Sequence, residues 1–363
     1  MTTTHHPHRR TINLALQGGG THGAFTWGVL DRLLEDERIA IEGISGASAG
    51  AMNGAVLAQG MHLGGPKAAR EALDHFWHRM AEIGWYNPIR RTWIEKLQGT
   101  WNLDRNPIAL AMEQLTLFFS PYQTNPLNLS HVRELLDETI DVSVLRDCNV
   151  IKLFVGTTNV RTSQPRIFRC SDLSIDALLA SACVPQVYQS VMIDGDAYWD
   201  GGYLGNPPLW PLIYECKTPD IMIVQINPIR REGVPQSPAE ITNRLNEIVF
   251  NASLMAQLRA ISFVAQLIGE RGAHGPHIDA LKKKNLFIHL IEAEEAMRSL
   301  GAVSQLNTDL EFLLYLKKLG RDATEQWLDA HFHDLNHHQT FDIDSLLLDT
   351  GSKSSPLLTW PDA

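Results

Sequence analysis

Two segments near the start of the chain each place a short apolar strand directly before a glycine-containing turn and a helix. Thr11–Gln17 runs into Gly18–Gly20, after which apolar residues recur at helical spacing. Ile39–Ile44 runs into Gly46–Gly50, and a helix of small residues reaches about Gln59. A strand–helix unit repeated in this way brings its strands together in parallel, with helices on the faces of the sheet. The sequence therefore predicts a three-layer α/β/α fold with a mainly parallel central sheet.

The rest of the chain supplies further elements of the same kind. Apolar runs of strand length are Val150–Thr157, Arg166–Arg169, Val187–Ile193, Ile221–Ile226 and Leu286–Ile291. Helical patterns cover Ile241–Ile268, Asp309–Leu319 and Ala323–Phe332. We expect a single domain over residues 11–335, followed by a peripheral C-terminal tail at 336–363.

Residues 61–148 differ in composition and are predicted to form a helical, aromatic-rich insertion within that domain. Prolines interrupt its helical pieces, at Pro88, Pro107, Pro121 and Pro126. Its tryptophans recur every eight residues, at Trp77, Trp85, Trp93 and Trp101. Eight residues do not return to one face of a helix, so the spacing itself predicts no stripe. The insertion is the expected source of an apolar pocket or a lid, with core packing as the alternative.

Charge and cysteine content limit the partners and the compartment. The chain has 41 acidic and 31 basic residues, a net charge of −10, which argues against nucleic acid and against permanent residence on an anionic membrane. Transient contact with lipid through an apolar patch is still compatible with this charge. The four cysteines form no C-x-x-C pair, and the polar N-terminus lacks the apolar run of a secretory signal. We therefore expect a cytoplasmic protein.

The first glycine turn, Gly18–Gly23, predicts an anion site at the start of a helix. Consecutive glycines let backbone N–H groups converge, and the helix end adds positive potential. The anion is either a bound phosphate or a short-lived oxyanion. The same letters fit G-x-G-x-x-G, so a nucleotide-binding oxidoreductase is a competing hypothesis. It needs an acidic residue about 20 positions further on, where Glu42 is the only candidate and fits poorly.

The second turn, Gly46-Ala47-Ser48-Ala49-Gly50, has the G-x-S-x-G pattern of a nucleophile elbow. Such a turn needs small residues on both sides of the serine because it is tight and strained, and it raises the serine oxygen above the sheet. Ser48 is the predicted nucleophile. Ser45 lacks the flanking pattern and is interpreted as the end of the strand.

The third glycine site is Asp200-Gly201-Gly202, for which an ordinary Asp-Gly turn is the simpler interpretation. The neighbouring Asp194-Gly195-Asp196 is predicted to be a hairpin turn after a strand. What distinguishes Asp200 is its place in a series. Three glycine sites in this order, each at a strand end, are far less expected by chance than any one of them.

Taken together, the three sites resemble the patatin-like phospholipase family of acyl hydrolases. Ala180–Pro185 and Asn206-Pro207-Pro208 resemble two further segments of that family, and the likeness runs from about Thr11 to Pro228. Where the family usually has Arg or Lys in the glycine loop, this chain has His22.

The resemblance implies a Ser48–Asp200 dyad that forms an acyl-enzyme. It also implies an oxyanion hole drawn from Gly18, Gly19, Gly20 and Ala49, with neither a metal nor an organic cofactor. An ordinary Asp is a weak base, so Asp200 must be buried enough to raise its pKa. The implied substrate is a lipid or another acyl ester.

Two alternatives stay open beside this dyad and the nucleotide hypothesis. One is a Ser–Asp–His triad that recruits a downstream histidine, from His274, His277, His289, His331, His333, His337 and His338. The other is a catalytically idle protein of the same shape that binds rather than hydrolyses.

Overall fold

A central eight-stranded sheet organises the chain in a computed structural model that describes residues 9–84, 89–97, 99–104, 106–271 and 286–343. The strands are β1 (Arg10–Leu16), β2 (Ile39–Gly46), β3 (Lys152–Asn159), β4 (Pro165–Arg169), β5 (Val191–Ile193), β6 (Asp196–Asp200), β7 (Asp220–Val224) and β8 (Phe287–Ile291). Their order is β5-β6-β3-β2-β1-β7-β8, and β4 also pairs with β3. Neighbours in the series β3-β2-β1-β7-β8 pair in parallel, while β4, β5 and β6 form antiparallel pairs.

Helices cover both faces of the sheet. They are α1 (Gly23–Glu35), α2 (Ala49–Ile83), α3 (Trp93–Leu97), α4 (Pro107–Phe118), α5 (Pro121–Thr124), α6 (His131–Thr139), α7 (Val142–Arg146), α8 (Ile175–Ser181), α9 (Trp210–Glu215), α10 (Pro238–Arg271), α11 (Glu294–Arg298) and α12 (Leu310–His331). Successive residues of a strand point to opposite faces. In β1, Leu14 and Leu16 enter the core beneath α1, α2 and α12, while Ala15 enters the core beneath α9 and α10. The predicted three-layer α/β/α fold is confirmed.

The C-terminal helices and the middle strands differ in detail from the sequence predictions. The two helices expected at 309–319 and 323–332 form one, α12, which continues through Gly320. A side chain at Gly320 would collide with the Phe25 carbonyl oxygen, so this glycine permits α1 and α12 to cross closely and does not end a helix. The strand expected at 187–193 begins only at Val191. The Asp194-Gly195 turn expected after it is present, with φ of 53° and 83°, and leads into β6, which the sequence analysis missed.

The helices of the insertion at residues 61–148 are less interrupted by proline than expected. The helix predicted to stop near Gln59 continues to Ile83, with a break at Gly64 and Gly65. Pro107 and Pro121 begin helices instead of breaking them, because the first helical turn does not need the proline N–H. Pro88 lies outside the described residues.

The expected boundary at residue 335 stays a prediction. Residues 336–343, assigned to the tail, run along β8. The N–H groups of Thr340 and Phe341 donate to the Ile288 carbonyl, and Ile343 is buried. Residues 344–363 lie outside the described residues.

Candidate active site

The nucleophile elbow is formed where β2 ends and α2 begins. Ser48 has φ of 54° and ψ of −128°, a strained conformation for a residue with a side chain. The residues two positions before and after it must be glycine, since a side chain at Gly50 would collide with the Leu16 carbonyl and one at Gly46 with the backbone of α2. The Ser48 N–H donates to Ser181, to both the hydroxyl at 3.0 Å and the carbonyl at 3.1 Å. These contacts fix the direction of the Ser48 side chain.

Asp200 reaches the same edge of the sheet from β6. It pairs with Thr157 of β3, so β3 separates the strand of Asp200 from that of Ser48. The turn after Asp200 crosses directly over Gly156, and a side chain at Gly201 would collide with the carbonyl of Gly156. The first glycine of Asp-Gly-Gly is therefore required by this close approach.

The two side chains predicted to form the dyad are in contact. Asp200 is 1% exposed, and its carboxylate accepts a hydrogen bond from the Gly202 N–H at 2.7 Å. The Ser48 hydroxyl lies close enough to this carboxylate to act on its pKa. Burial raises the pKa of Asp200 to about 7, against the lowering effects of the Gly202 N–H and the Ser48 hydroxyl. A carboxyl with this pKa is a far better base near neutral pH than an exposed aspartate.

The glycine loop offers a smaller set of N–H donors than the sequence analysis expected. The Gly18 N–H donates to Asn206 Oδ1 at 2.7 Å, so Gly18 holds the loop in place and has no donor left for an oxyanion. Within the described part of the chain, the N–H groups of Gly19, Gly20 and Ala49 have no hydrogen-bond partner. Gly20 has φ of 57°, which suits glycine, and a side chain there would collide with the Gln305 carbonyl.

Buried amide side chains hold this loop, and sequence reasoning missed them. Gln17 Oε1 accepts from the N–H groups of Ile226 and Asn227, both at 2.9 Å, and Gln17 Nε2 donates to Asn251 Oδ1 at 3.0 Å. Asn227 Nδ2 donates to the Gly18 carbonyl at 2.9 Å. The available signal was a polar amide soon after a buried strand, at Gln17 directly after β1 and at Asn227 three residues after β7.

His22 is neutral and buried beside the loop. Its Nε2 lies 2.7 Å from Ser304 Oγ, whose own proton is donated to the Gly301 carbonyl, so the histidine donates and the serine accepts. Burial lowers the pKa of His22 to about 3. The position that usually carries a basic residue in the family therefore carries no charge in this chain.

The competing residues have other partners. The Ser45 hydroxyl donates to the Pro208 carbonyl at 2.6 Å from within β2, which confirms its interpretation as a strand residue. Glu42, the acid that a nucleotide site would need, accepts from the N–H groups of Lys217 and Thr218 and from Lys152 Nζ. Its carboxylate is therefore engaged in joining β2 to the start of β7.

No histidine among the described residues donates to or accepts from Ser48 or Asp200. His289 is buried between Asp220 and Thr340, each at 3.0 Å, near the amino end of β7 and away from the strand ends that carry Ser48. His331 pairs with Asp334, and His337 contacts Arg10. His274 and His277 lie outside the described residues.

The tryptophans of the insertion have no common environment. Trp77 is buried and stacks on Trp27, Trp101 packs against Phe312 beneath the Arg91 guanidinium, and Trp93 is 72% exposed. Trp85 lies outside the described residues. A cavity of about 40 Å³ lies between α6, α8 and the start of β5 and is lined in part by Val132, Leu179 and Val191. This space suits a water molecule rather than an acyl chain, so the predicted apolar pocket stays a prediction.

The family-model comparison agrees with this fold and site. A model described as patatin-like phospholipase matches residues 14–213, more than half of the chain, and the match includes all three glycine sites. The chain belongs to the patatin-like phospholipase family, as its motifs predicted.

Solved structures give more distant likenesses. VipD from Legionella pneumophila is 17% identical with a TM-score of 0.39, over 90% of this chain and 67% of VipD. Full-length ExoU of Pseudomonas aeruginosa, solved with SpcU, is 15% identical with a TM-score of 0.30, over 88% of this chain and 53% of that one. Likenesses this distant say nothing about substrate or partner. A comparison with curated proteins finds no match.

The raised pKa of Asp200 predicts a specific dependence of stability on pH. A carboxyl whose pKa is higher in the folded state binds its proton more tightly there. Its contribution to the free energy of unfolding therefore falls as the pH rises from 3.8 to about 7, and is constant above that. We expect Asp200→Asn to remove this dependence. Between pH 4 and pH 8 its free energy of unfolding should rise relative to that of wild type by up to about 4 kcal/mol.

Urea unfolding of both proteins at these two pH values measures the effect. If the free energies of unfolding of wild type and variant differ by the same amount at both pH values, the charge on Asp200 does not destabilise the fold.

Proposed function

We propose that this protein is a serine acyl-ester hydrolase that acts on lipid or lipid-like esters through a covalent acyl-enzyme. Membership of the patatin-like phospholipase family supports a lipid acyl hydrolase. The observation that carries the finer proposal is the contact between the Ser48 hydroxyl and the buried Asp200 carboxylate, beside three N–H groups without partners.

In the first half of the proposed reaction, Ser48 Oγ attacks the ester carbonyl carbon and its proton passes to Asp200. The raised pKa of Asp200 makes the carboxylate basic enough to accept it. The carbonyl oxygen becomes an oxyanion, which we assign to the N–H groups of Gly19 and Gly20 with that of Ala49. Each such donor is worth about 2.7–4 kcal/mol of barrier. Asp200 then protonates the departing alcohol, and the acyl group stays on Ser48.

In the second half, water attacks the acyl-enzyme. Asp200 takes a proton from the water, the same N–H groups hold the second oxyanion, and the proton returns to Ser48 as the carboxylic acid leaves. The cycle needs only the dyad, the amides and water. The neutral His22 adds no charge to the oxyanion, so backbone N–H groups supply the whole of its stabilisation in this proposal.

The remaining alternatives have less support. The nucleotide hypothesis needs an acid free to bind a ribose, whereas Glu42 is bonded to the start of β7. A triad needs an imidazole near Asp200, whereas His289 bonds to Asp220 and His331 to Asp334. A catalytically idle protein would share the fold, so it is distinguished by reactivity alone.

Reactivity of Ser48 is the most direct test of the nucleophile. We expect a fluorophosphonate to add one label, mapped by mass spectrometry to Ser48, because the contact with Asp200 activates this hydroxyl. Ser48→Ala should abolish both the label and the hydrolysis of a p-nitrophenyl ester, by a factor of about 10³ or more. Ser45→Ala is the matched control and should keep the label. Full esterase activity in Ser48→Ala would contradict the proposal.

The dependence of activity on pH tests the base. Only ionised Asp200 can accept the Ser48 proton, so kcat/KM on a soluble ester should rise about tenfold per pH unit below 7 and level off above it. His22 is neutral throughout this range and should add no second step. Activity after return to neutral pH controls for unfolding. A profile that is already flat at pH 5 would rule out a base with this pKa.

A further inference from the structure

The side of α10 that faces the protein combines apolar core packing with hydrogen bonds. Leu254 and Leu258 are each 1% exposed and belong to the core beneath α9 and α10. Asn251 donates to the Pro228 carbonyl at 3.0 Å, and Ser253 Oγ accepts from the Asn206 N–H at 3.0 Å. Gln257 bonds to the backbone at Pro207 and Leu209, and Glu247 pairs with Arg231 at 2.6 Å. These bonds hold the segments that carry the glycine loop and the Asn206 turn. The inner side of α10 therefore forms part of the scaffold of the site.

The outer side of the same helix is apolar and faces solvent. Its large apolar residues are between 43% and 56% exposed: Ile241, Leu245, Ile248, Val249 and Phe263. Exposed Ala252, Ala256 and Ala260 lie among them, with Arg259 as the charged residue on this side. Phe263 lies about five turns after Leu245, so these side chains share one face along the helix. The outward face of a surface helix in a soluble protein is normally polar.

This helix is also long and apolar enough to cross a membrane, by length and composition. Residues Pro238–Ala265 have a mean hydropathy of 1.5 in their most apolar window, of which 22% is buried. Crossing a bilayer would break the bonds that Asn251, Ser253 and Gln257 make to the protein and leave their amides and hydroxyls unpaired. The arrangement instead suits a helix that lies in the plane of a membrane–water interface, with the side that carries these hydrogen bonds on the protein.

A second exposed apolar element is attached to α10. Helix α4 and the residues after it expose large apolar side chains at Ile108, Leu110, Met112, Leu115, Leu117, Phe118, Phe119, Leu127 and Leu129. Before α4, Asp104 accepts from Asn243 of α10 at 2.6 Å. After it, Tyr122 contacts Ser190 at 2.9 Å, and Gln189 donates to the Asn125 carbonyl. The α4 segment therefore runs from α10 to the side of the site that carries Asp200.

The helix that carries this apolar surface also contacts the candidate dyad through its opposite side. Phe250 of α10 packs against Tyr203, with ring centroids 5.4 Å apart, and lies directly over Gly202, whose N–H binds Asp200. The surface also carries few cations on a chain of net charge −10, so charge favours headgroups without net negative charge.

We propose that the outer side of α10, together with α4, docks on a lipid surface of zwitterionic headgroups such as phosphatidylcholine. This inference rests on the proposed function, because it names the form in which the lipid ester reaches Ser48. The apolar side chains enter the boundary between headgroups and acyl chains. The bonds on the inner side of α10 stay in place, so the glycine loop keeps its conformation. Docking thus requires neither an anionic lipid nor turnover.

The test measures vesicle binding separately from hydrolysis. The full chain carrying Ser48→Ala, which cannot turn over, is sedimented with phosphatidylcholine vesicles at low and high salt. We expect binding that salt does not weaken, and a loss of roughly tenfold or more when Leu245, Ile248 and Phe263 are all changed to glutamine. The matched control changes Leu310 and Leu314, which are exposed on α12, to glutamine and should bind as before.

Thermal unfolding shows whether the triple variant is folded, and its activity on a soluble ester, with Ser48 present, should match that of wild type. Undiminished vesicle binding by the triple variant would overturn the inference. Binding only to anionic vesicles would do the same. A third outcome would also overturn it: the protein is a dimer in sedimentation velocity, the triple variant is a monomer, and neither binds vesicles. That face would then join two copies of the chain. Fluorophosphonate labelling of wild type decides the proposed function independently.

Discussion

The structure of the site depends on an aspartate carboxylate that is buried with no cation beside it among the described residues. Asp200 accepts a hydrogen bond from the Gly202 N–H and lies beside the Ser48 hydroxyl, and burial still raises its pKa to about 7. An unpaired charge in such a position is costly to the fold. The surrounding glycines make the arrangement possible, because Gly201 lets the Asp200 turn cross β3 and Gly50 lets the Ser48 elbow close against β1. The burial of Asp200 therefore has two effects. It makes the carboxylate a strong enough proton acceptor for the proposed reaction, and it lowers the stability of the fold.

The parts of the site that could be predicted from sequence are those governed by local backbone geometry. A serine in a tight turn needs small neighbours, and a loop that presents N–H groups needs glycines, so Ser48, Gly19 and Gly20 were recognisable from their flanking residues. Asp200 was singled out by its place in the series of three glycine sites. The parallel sheet followed from strands that alternate with helices. These inferences need no knowledge of which distant segments meet.

The parts that could not be predicted depend on contacts between distant segments. Gly18 was expected to offer its N–H, but Asn206 occupies it, and nothing in the local sequence shows this pairing across 188 positions. The continuous α12 was missed because Gly320 was interpreted without the partner helix that it contacts. The exposed apolar face of α10 was hidden as well, since an apolar pattern does not show which side of a helix faces the protein. Long-range packing decides all three.

The central claim is that Asp200 titrates near neutral pH because it is buried beside Ser48. Its carboxyl carbon can be followed directly by NMR in protein labelled with ¹³Cγ-aspartate, with the resonance assigned by its absence from Asp200→Asn. The account predicts a titration midpoint near pH 7. A midpoint near about 4, the ordinary value for aspartate, would contradict it.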